Sequence, residues 1–125
     1  MRMWMLNPRI MCRQHLLGEH LEIHMFAGTL RRGISVEGYL EKGLLEGASL
    51  RSRHNALVKE MLRRGYNHKS PLDDYPEETR GKVDRLQSFT DLMDRCPECR
   101  ERAAAILQEV PGIASWESTL TGGKQ

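Results

Sequence analysis

Apolar residues recur at helical spacing along most of this chain, and the alternation that builds strands is scarce. Over residues 8–30 they fall on two flanks of one helix. Leu17 and Leu21 lie on one side, and Leu16, Ile23 and Ala27 on the other. Asn7-Pro8 marks the start, because Asn caps an N-terminus and Pro fills a first turn without wasting a donor. Gly33, Gly38, Gly43 and Gly47 punctuate the next stretch, which predicts a short helix over residues 36–44 and then a loop. Ala56, Leu57, Met61 and Leu62 predict a third helix over residues 50–64, with Gly65 as its stop. Residues 66–75 read as a loop and Pro76-Glu77-Glu78 as a first helical turn. Val83, Leu86, Phe89 or Thr90, and Met93 set the stripe of a helix over residues 83–95. A last helical segment, rich in Ala and charge, follows over residues 98–110. The pattern predicts an all-α fold: one compact domain of four to five helices over residues 1–112, with a flexible tail over 113–125.

A length of 125 residues fits one domain with a real core. The net charge of +2 is weaker than a strong general DNA binder carries. Its distribution is uneven, however. Arg31, Arg32, Arg51, Arg53, Lys59, Arg63 and Arg64 precede an acidic stretch of Asp73, Asp74, Glu77 and Glu78, so a local basic face is possible. No apolar run approaches the roughly 20 residues of a membrane span, and Asn7, Pro8, Arg9 and Arg13 break up any signal-peptide core. A cytoplasmic monomer is expected, with no membrane partner. Three cysteines, an odd count, argue against a secreted disulfide framework.

Candidate chemistry concentrates on the first helix. The face around Glu22 holds Met11, His15, Gly18, Glu19, Phe26 and Thr29. With both flanks apolar, that strip must line a cleft or pair with something; otherwise Glu19 and Glu22 are ordinary solvated residues. Gly18, one turn before Glu22, costs helix stability of about 1 kcal/mol relative to Ala and removes bulk where a pocket would need room. His20 and His24 have metal-ligand spacing, which more often marks a surface or core pair. Cys96-Pro97-Glu98-Cys99 is half of a zinc site that Cys12 or a histidine would have to complete. Two ordinary cysteines at a helix junction is the favoured reading, so no metal and no cofactor are expected. Trp4 either stacks on a base or anchors the N-terminus.

Arg2 is a large second residue, so Met1 is expected to be retained. An α-amine titrates near 7.7–8.0 against about 10.4 for lysine, so α-amines are partly unprotonated and nucleophilic at neutral pH. Such an amine can attack a sugar's anomeric carbon and form an imine. Residues 1–7, extended, span about 23 Å. From Pro8 to Glu22 along a helix is about 21 Å. The N-terminal segment can therefore run back along the first helix and bring the amine of Met1 beside Glu22.

The run Gln14-His15-Leu16-Leu17-Gly18-Glu19-His20-Leu21-Glu22 resembles the Q-H-L-x-x-E-x-x-E segment of pyrimidine-dimer DNA glycosylases of the bacteriophage endonuclease V type. The likeness continues through Gly28 with Leu30-Arg31-Arg32, through Leu62-Arg63-Arg64-Gly65-Tyr66-Asn67, and through Pro76-Glu77-Glu78-Thr79-Arg80-Gly81. It covers residues 1 to 81 in order. The resemblance implies a single all-helical domain acting on damaged double-stranded DNA, with an N-terminal α-amine as nucleophile. It puts Met1 in the nucleophile's place and Glu22 in that of the catalytic acid. Arg2, Gln14, His15, Arg31 and Arg32 take the places of DNA-binding residues. The implied reaction has two stages: the amine displaces the damaged base, and β-elimination from the imine then cuts the strand. Substrates are pyrimidine dimers or abasic sites.

The chain departs from the family pattern at several basic and aromatic positions. Leu21 and Met25 stand where the family has Arg, and Ser88 and Leu92 where its fourth helix has Arg and Lys. The aromatic tail is replaced by Cys96-Pro97-Glu98-Cys99-Arg100. These losses bear on dimer specificity more than on amine chemistry, and Arg31, Arg32, Arg51, Arg53, Arg85 or Arg95 are left to meet phosphates. A non-catalytic DNA-binding module and a small metal-binding helical protein are the competing readings.

Overall fold

The computed structural model describes residues 1–109. They form five α-helices and, among the described residues, no strand: α1 (Arg13–Arg31), α2 (Glu37–Glu41), α3 (Leu50–Arg63), α4 (Arg85–Arg95) and α5 (Pro97–Glu109). The all-α class read from periodicity is the one observed. The tail expected over residues 113–125 lies outside the described residues. No helix among the described residues is long and apolar enough to cross a membrane.

The first helix starts later than Asn7-Pro8 suggested. Asn7 accepts from the Arg9 amide at 3.0 Å, but the turn it caps is a three-residue 3₁₀ helix, Pro8–Ile10. Met11 is extended, and Cys12 then caps α1, its Sγ accepting from the His15 amide at 3.5 Å. Packing explains the break. Ile10, Met11 and Cys12 are all buried, and three successive side chains cannot share one helix face. The carbonyls around the break find other donors: Arg64 reaches those of Pro8 (3.1 Å) and Met11 (2.6 Å), and Arg102 that of Arg9 (3.0 Å).

α1 packs on α3, while α5 packs on α4 and on the Pro8–Ile10 turn. Leu16, Ile23 and Phe26 of α1 meet Leu50 and Leu57 of α3, Leu92 of α4 and Ile106 of α5 in one core. Through that core runs the N-terminal segment, with Met3, Trp4, Met5 and Leu6 all buried. A buried segment without regular structure must find partners for its own backbone. The Met3 amide donates to the Leu44 carbonyl at 2.8 Å. The Trp4 carbonyl accepts from Ser88 Oγ at 2.6 Å, the Met5 amide reaches Glu19 Oε2 at 3.5 Å, and the Leu6 carbonyl accepts from the Arg53 guanidinium. Met5 sits at φ 57°, the left-handed region a side chain enters at a cost of about 1–2 kcal/mol. These partners hold it there.

Residues 66–84 contain no regular element, and the helical turn expected at Pro76-Glu77-Glu78 does not form. This stretch lies against the loop that precedes α3. The Gly47 amide donates to the Arg80 carbonyl at 2.9 Å, and a Cβ on Gly47 would stand 2.3 Å from the Glu78 carbonyl oxygen. Gly81, at φ 92°, passes so near the Leu45 carbonyl oxygen that a Cβ would meet it at 2.2 Å. That close fit commits the backbone a helix would need. The short segment also has no apolar stripe to reward coiling.

Candidate active site

Glu19 and Glu22 lie one turn apart on α1, and the N-terminal segment runs along the face they share. Glu19 is buried in an ion pair with Arg53, whose Nε and Nη2 reach the two carboxylate oxygens at 2.7 and 2.8 Å. A buried pair repays its desolvation only when further hydrogen bonds complete it. Here those bonds go to the backbone of Met5 and Leu6, so the pair clamps the N-terminal segment in place. Glu22 is half-buried and accepts from the Arg2 backbone amide at 2.7 Å. The α-amine of Met1 is three bonds from that amide nitrogen, within about 4 Å by covalent geometry. The beginning of the chain therefore lies beside the carboxylate midway along α1.

Both line a cleft of about 490 Å³, together with Arg2, Trp4, Gln14, His15, Gly18, Leu44 and Arg95. Its size suits a small ligand such as a nucleotide sugar. A Cβ on Gly18 would meet nothing within 4 Å, so the glycine opens onto free space. A second depression, about 220 Å³, lies between Asn7, Pro8, Arg9 and α3, and its walls are mostly apolar.

The cleft is electropositive on one side. The Arg2 guanidinium lies 3.8 Å from the centroid of the Trp4 ring and that of Arg95 5.2 Å from it. Arg2 Nη1 also reaches Asp91 Oδ2 at 3.5 Å, but its buried Nε has no hydrogen-bond partner. Trp4 is buried, the anchor of its two sequence readings, with its edge against the His15 ring at 5.9 Å. Burial, and then the charge of Arg95, pushes the His15 pKa below its usual 6.5, so the ring is neutral at physiological pH.

Met1, Arg2, Gln14, His15 and Glu22 are thus brought together, and Arg31 and Arg32 are not. These two stand exposed at the C-terminal end of α1, about 14 Å beyond Glu22 along its axis. Arg31 donates to the Asp73 and Asp74 carbonyls at 3.4 and 3.2 Å, and Arg32 to that of Gly28 at 3.3 Å. Of the remaining arginines held as phosphate contacts, only Arg95 faces the cleft. Arg53 is buried, Arg85 is paired with Glu46, and Arg51 donates to the Leu72 carbonyl at 3.0 Å. Sequence reasoning missed Leu44 and the anchoring role of Ser88. Neither carries a local signal, since both act on the N-terminal segment across the fold.

An α-amine beside a carboxylate, in an open polar cleft with cationic side chains, has the groups needed to form an imine with a sugar aldehyde and to move the protons this requires. A family model described as pyrimidine dimer DNA glycosylase matches residues 1–74, more than half of the chain. The match includes Met1, Glu22 and every α1 residue of the cleft, and ends before α4. No curated protein and no solved structure matches the chain.

Proposed function

The chain belongs to the pyrimidine dimer DNA glycosylase family, and on that premise we propose that it is a DNA repair glycosylase with abasic-site lyase activity, using the α-amine of Met1 as nucleophile and Glu22 as the acid–base group. The observation that carries this reading is the 2.7 Å hydrogen bond from the Arg2 amide to Glu22, which sets the first residue beside the carboxylate.

The Met1 nitrogen attacks C1′ of the damaged nucleotide, and the bond from C1′ to the base breaks as the base leaves with its electron pair. Glu22 takes a proton from the attacking nitrogen and delivers it to the ring oxygen, the sugar opens, and an iminium joins Met1 to C1′. That cation acidifies C2′–H. Loss of the proton and departure of the 3′ phosphate complete a β-elimination that cuts the strand. Water then hydrolyses the imine and frees the amine. On an abasic site the same sequence starts from the sugar aldehyde, with water as the first leaving group. Arg2 and Arg95 meet the phosphates beside the extruded sugar in this reading, which their position on the cleft wall supports, and Arg31 and Arg32 meet those further along the duplex. Extruding a base costs a few kcal/mol, which an abasic site largely avoids. With Leu21, Met25 and Ser88 at positions that are basic in the family, the abasic site is the substrate this cleft favours.

The test is incubation with abasic and dimer-containing duplexes, with and without borohydride. A covalent adduct that appears only with borohydride, and disappears when residues are added before Met1, supports the reading. Salt-sensitive binding with neither adduct nor cleavage would make the protein a non-catalytic DNA-binding module instead.

A further inference from the structure

Four ligand-type side chains converge where the start of α1 meets the junction of α4 and α5. Cys12 caps α1, with His15 one turn inside it. Cys96 closes α4 just ahead of Pro97, the first residue of α5, with Cys99 one turn inside. Cys12 Sγ lies 3.2 Å from His15 Nδ1 and 3.8 Å from Cys96 Sγ, and Cys99 Sγ lies 3.8 Å from His15 Nδ1. All four ligand atoms lie within 4.8 Å of one another.

A tetrahedral zinc ion with Zn–S near 2.3 Å and Zn–N near 2.0 Å requires edges of about 3.8 Å between sulfurs and about 3.5 Å from sulfur to nitrogen. The observed separations bracket those values. They are far from the roughly 2.05 Å of a disulfide, and all three cysteines are free. Backbone amides already point at the sulfurs: His15 to Cys12 at 3.5 Å, Cys99 to Cys96 at 3.4 Å, and Cys12 to Cys99 at 3.2 Å. Such donors stabilise thiolates, as do the positive ends of α1 and α5 where the sulfurs sit. The spacings Cys-x-x-His and Cys-x-x-Cys each place two ligands on one helical turn, so the pairs need no rearrangement to close on an ion. Three soft thiolates and one imidazole select zinc over magnesium or calcium.

We propose that Cys12, His15, Cys96 and Cys99 hold a structural zinc ion that clamps the α4–α5 junction to the start of α1. Sequence alone offered the Cys96–Cys99 half and favoured ordinary cysteines; the fold supplies the missing ligands from eighty residues upstream. All four positions are filled by protein, which leaves no opening for substrate and makes the site structural. The ion also fixes the ring of His15, whose edge packs on Trp4 in the wall of the cleft. Cys12 and His15 lie within the residues the family model matches, and Cys96 and Cys99 beyond them, so the ion would tie the matched region to α4 and α5.

Elemental analysis of the full-length protein, purified without chelator from zinc-supplemented cells, is expected to find one zinc per chain. Cobalt(II) exchange should give thiolate-to-metal charge transfer and the visible bands of a tetrahedral site. Cys96→Ser, at the most exposed of the three cysteines, is expected to weaken zinc retention against a chelator by about 100-fold. His20→Gln lies in the separate cluster of His20, His54 and His68 and should leave retention unchanged. A metal-free protein whose three thiols all react in the native state, with no cobalt spectrum, overturns the proposal. Iron in place of zinc does so too, as does zinc that survives Cys96→Ser and is lost with His20→Gln. None of these readouts involves DNA cleavage, so the proposal stands or falls apart from the enzymatic reading.

Discussion

Two glutamates three positions apart have been given opposite environments, and substitutions at each should part accordingly. Glu19→Gln leaves the Arg53 guanidinium buried without its counter-charge and should cost about 3–5 kcal/mol in a urea melt. Glu22→Gln keeps an acceptor for the Arg2 amide and should change stability by less than about 1 kcal/mol, yet lower strand cleavage at an abasic site by about 100-fold or more. If the stability loss falls on Glu22 and the activity loss on Glu19 alone, the roles are assigned wrongly. Gly18→Ala tests the cleft itself. Its Cβ meets no neighbour, so the helix should gain about 0.5–1 kcal/mol while, on the proposed function, KM for an abasic duplex rises because the methyl group enters the cleft. Helical spacing alone put Glu22, Gly18 and His15 on one face. It could not say which glutamate would be paired, because the partner of Glu19 comes from α3 and nothing near either residue distinguishes them.

Among the elements, the segment ahead of the first helix does the most to build the site. Its peptide groups are bonded in turn by α1, α3, α4 and the loop after α2. Ser88→Ala removes the hydroxyl that serves the Trp4 carbonyl in the core. It should cost about 1–3 kcal/mol by thermal melt, and activity should fall further than the folded fraction does, because the proposed nucleophile, Met1, loses its position. The helices were legible because apolar periodicity survives in any packing arrangement. The fold-back of residues 1–7 was also open to sequence reasoning, as a question of reach. The interruption at Met11 was not legible, since Asn7 and Pro8 signal a helix start equally well for a 3₁₀ turn and for a long helix. Nor was the absence of a turn at Pro76-Glu77-Glu78, which follows from the fit of Gly47 and Gly81 against distant backbone.

Across the whole molecule, the basic residues of the first half divide between the interior and the surface, where Arg31, Arg32, Arg51, Lys59 and Arg63 stand exposed. Arg53 and Arg64 are engaged in the interior, and the cleft keeps Arg2 and Arg95 as its cationic wall. On the α1–α3 side, four histidines stack with ring separations near 5 Å. Burial, and then the neighbours His24, His54 and His68, push the His20 pKa from 6.5 to about 4. The unfolded chain takes up this proton near pH 6.5 and the folded chain only near pH 4. Stability is therefore complete above about pH 6.5 and declines as pH falls through that window, by about 2 kcal/mol once the open side of the cluster is allowed for. Urea melts at about pH 7.5 and 4.5 should show this loss in the wild type and a smaller one in His20→Asn; equal losses would mean that another group sets the acid limit. The chemistry itself is tested most directly by mass spectrometry of the proteolysed, borohydride-reduced adduct with an abasic duplex. The sugar remnant should sit on the α-amine of Met1. A remnant on a lysine side chain, or strand cleavage that leaves no adduct at all, would contradict catalysis by the chain's own first residue.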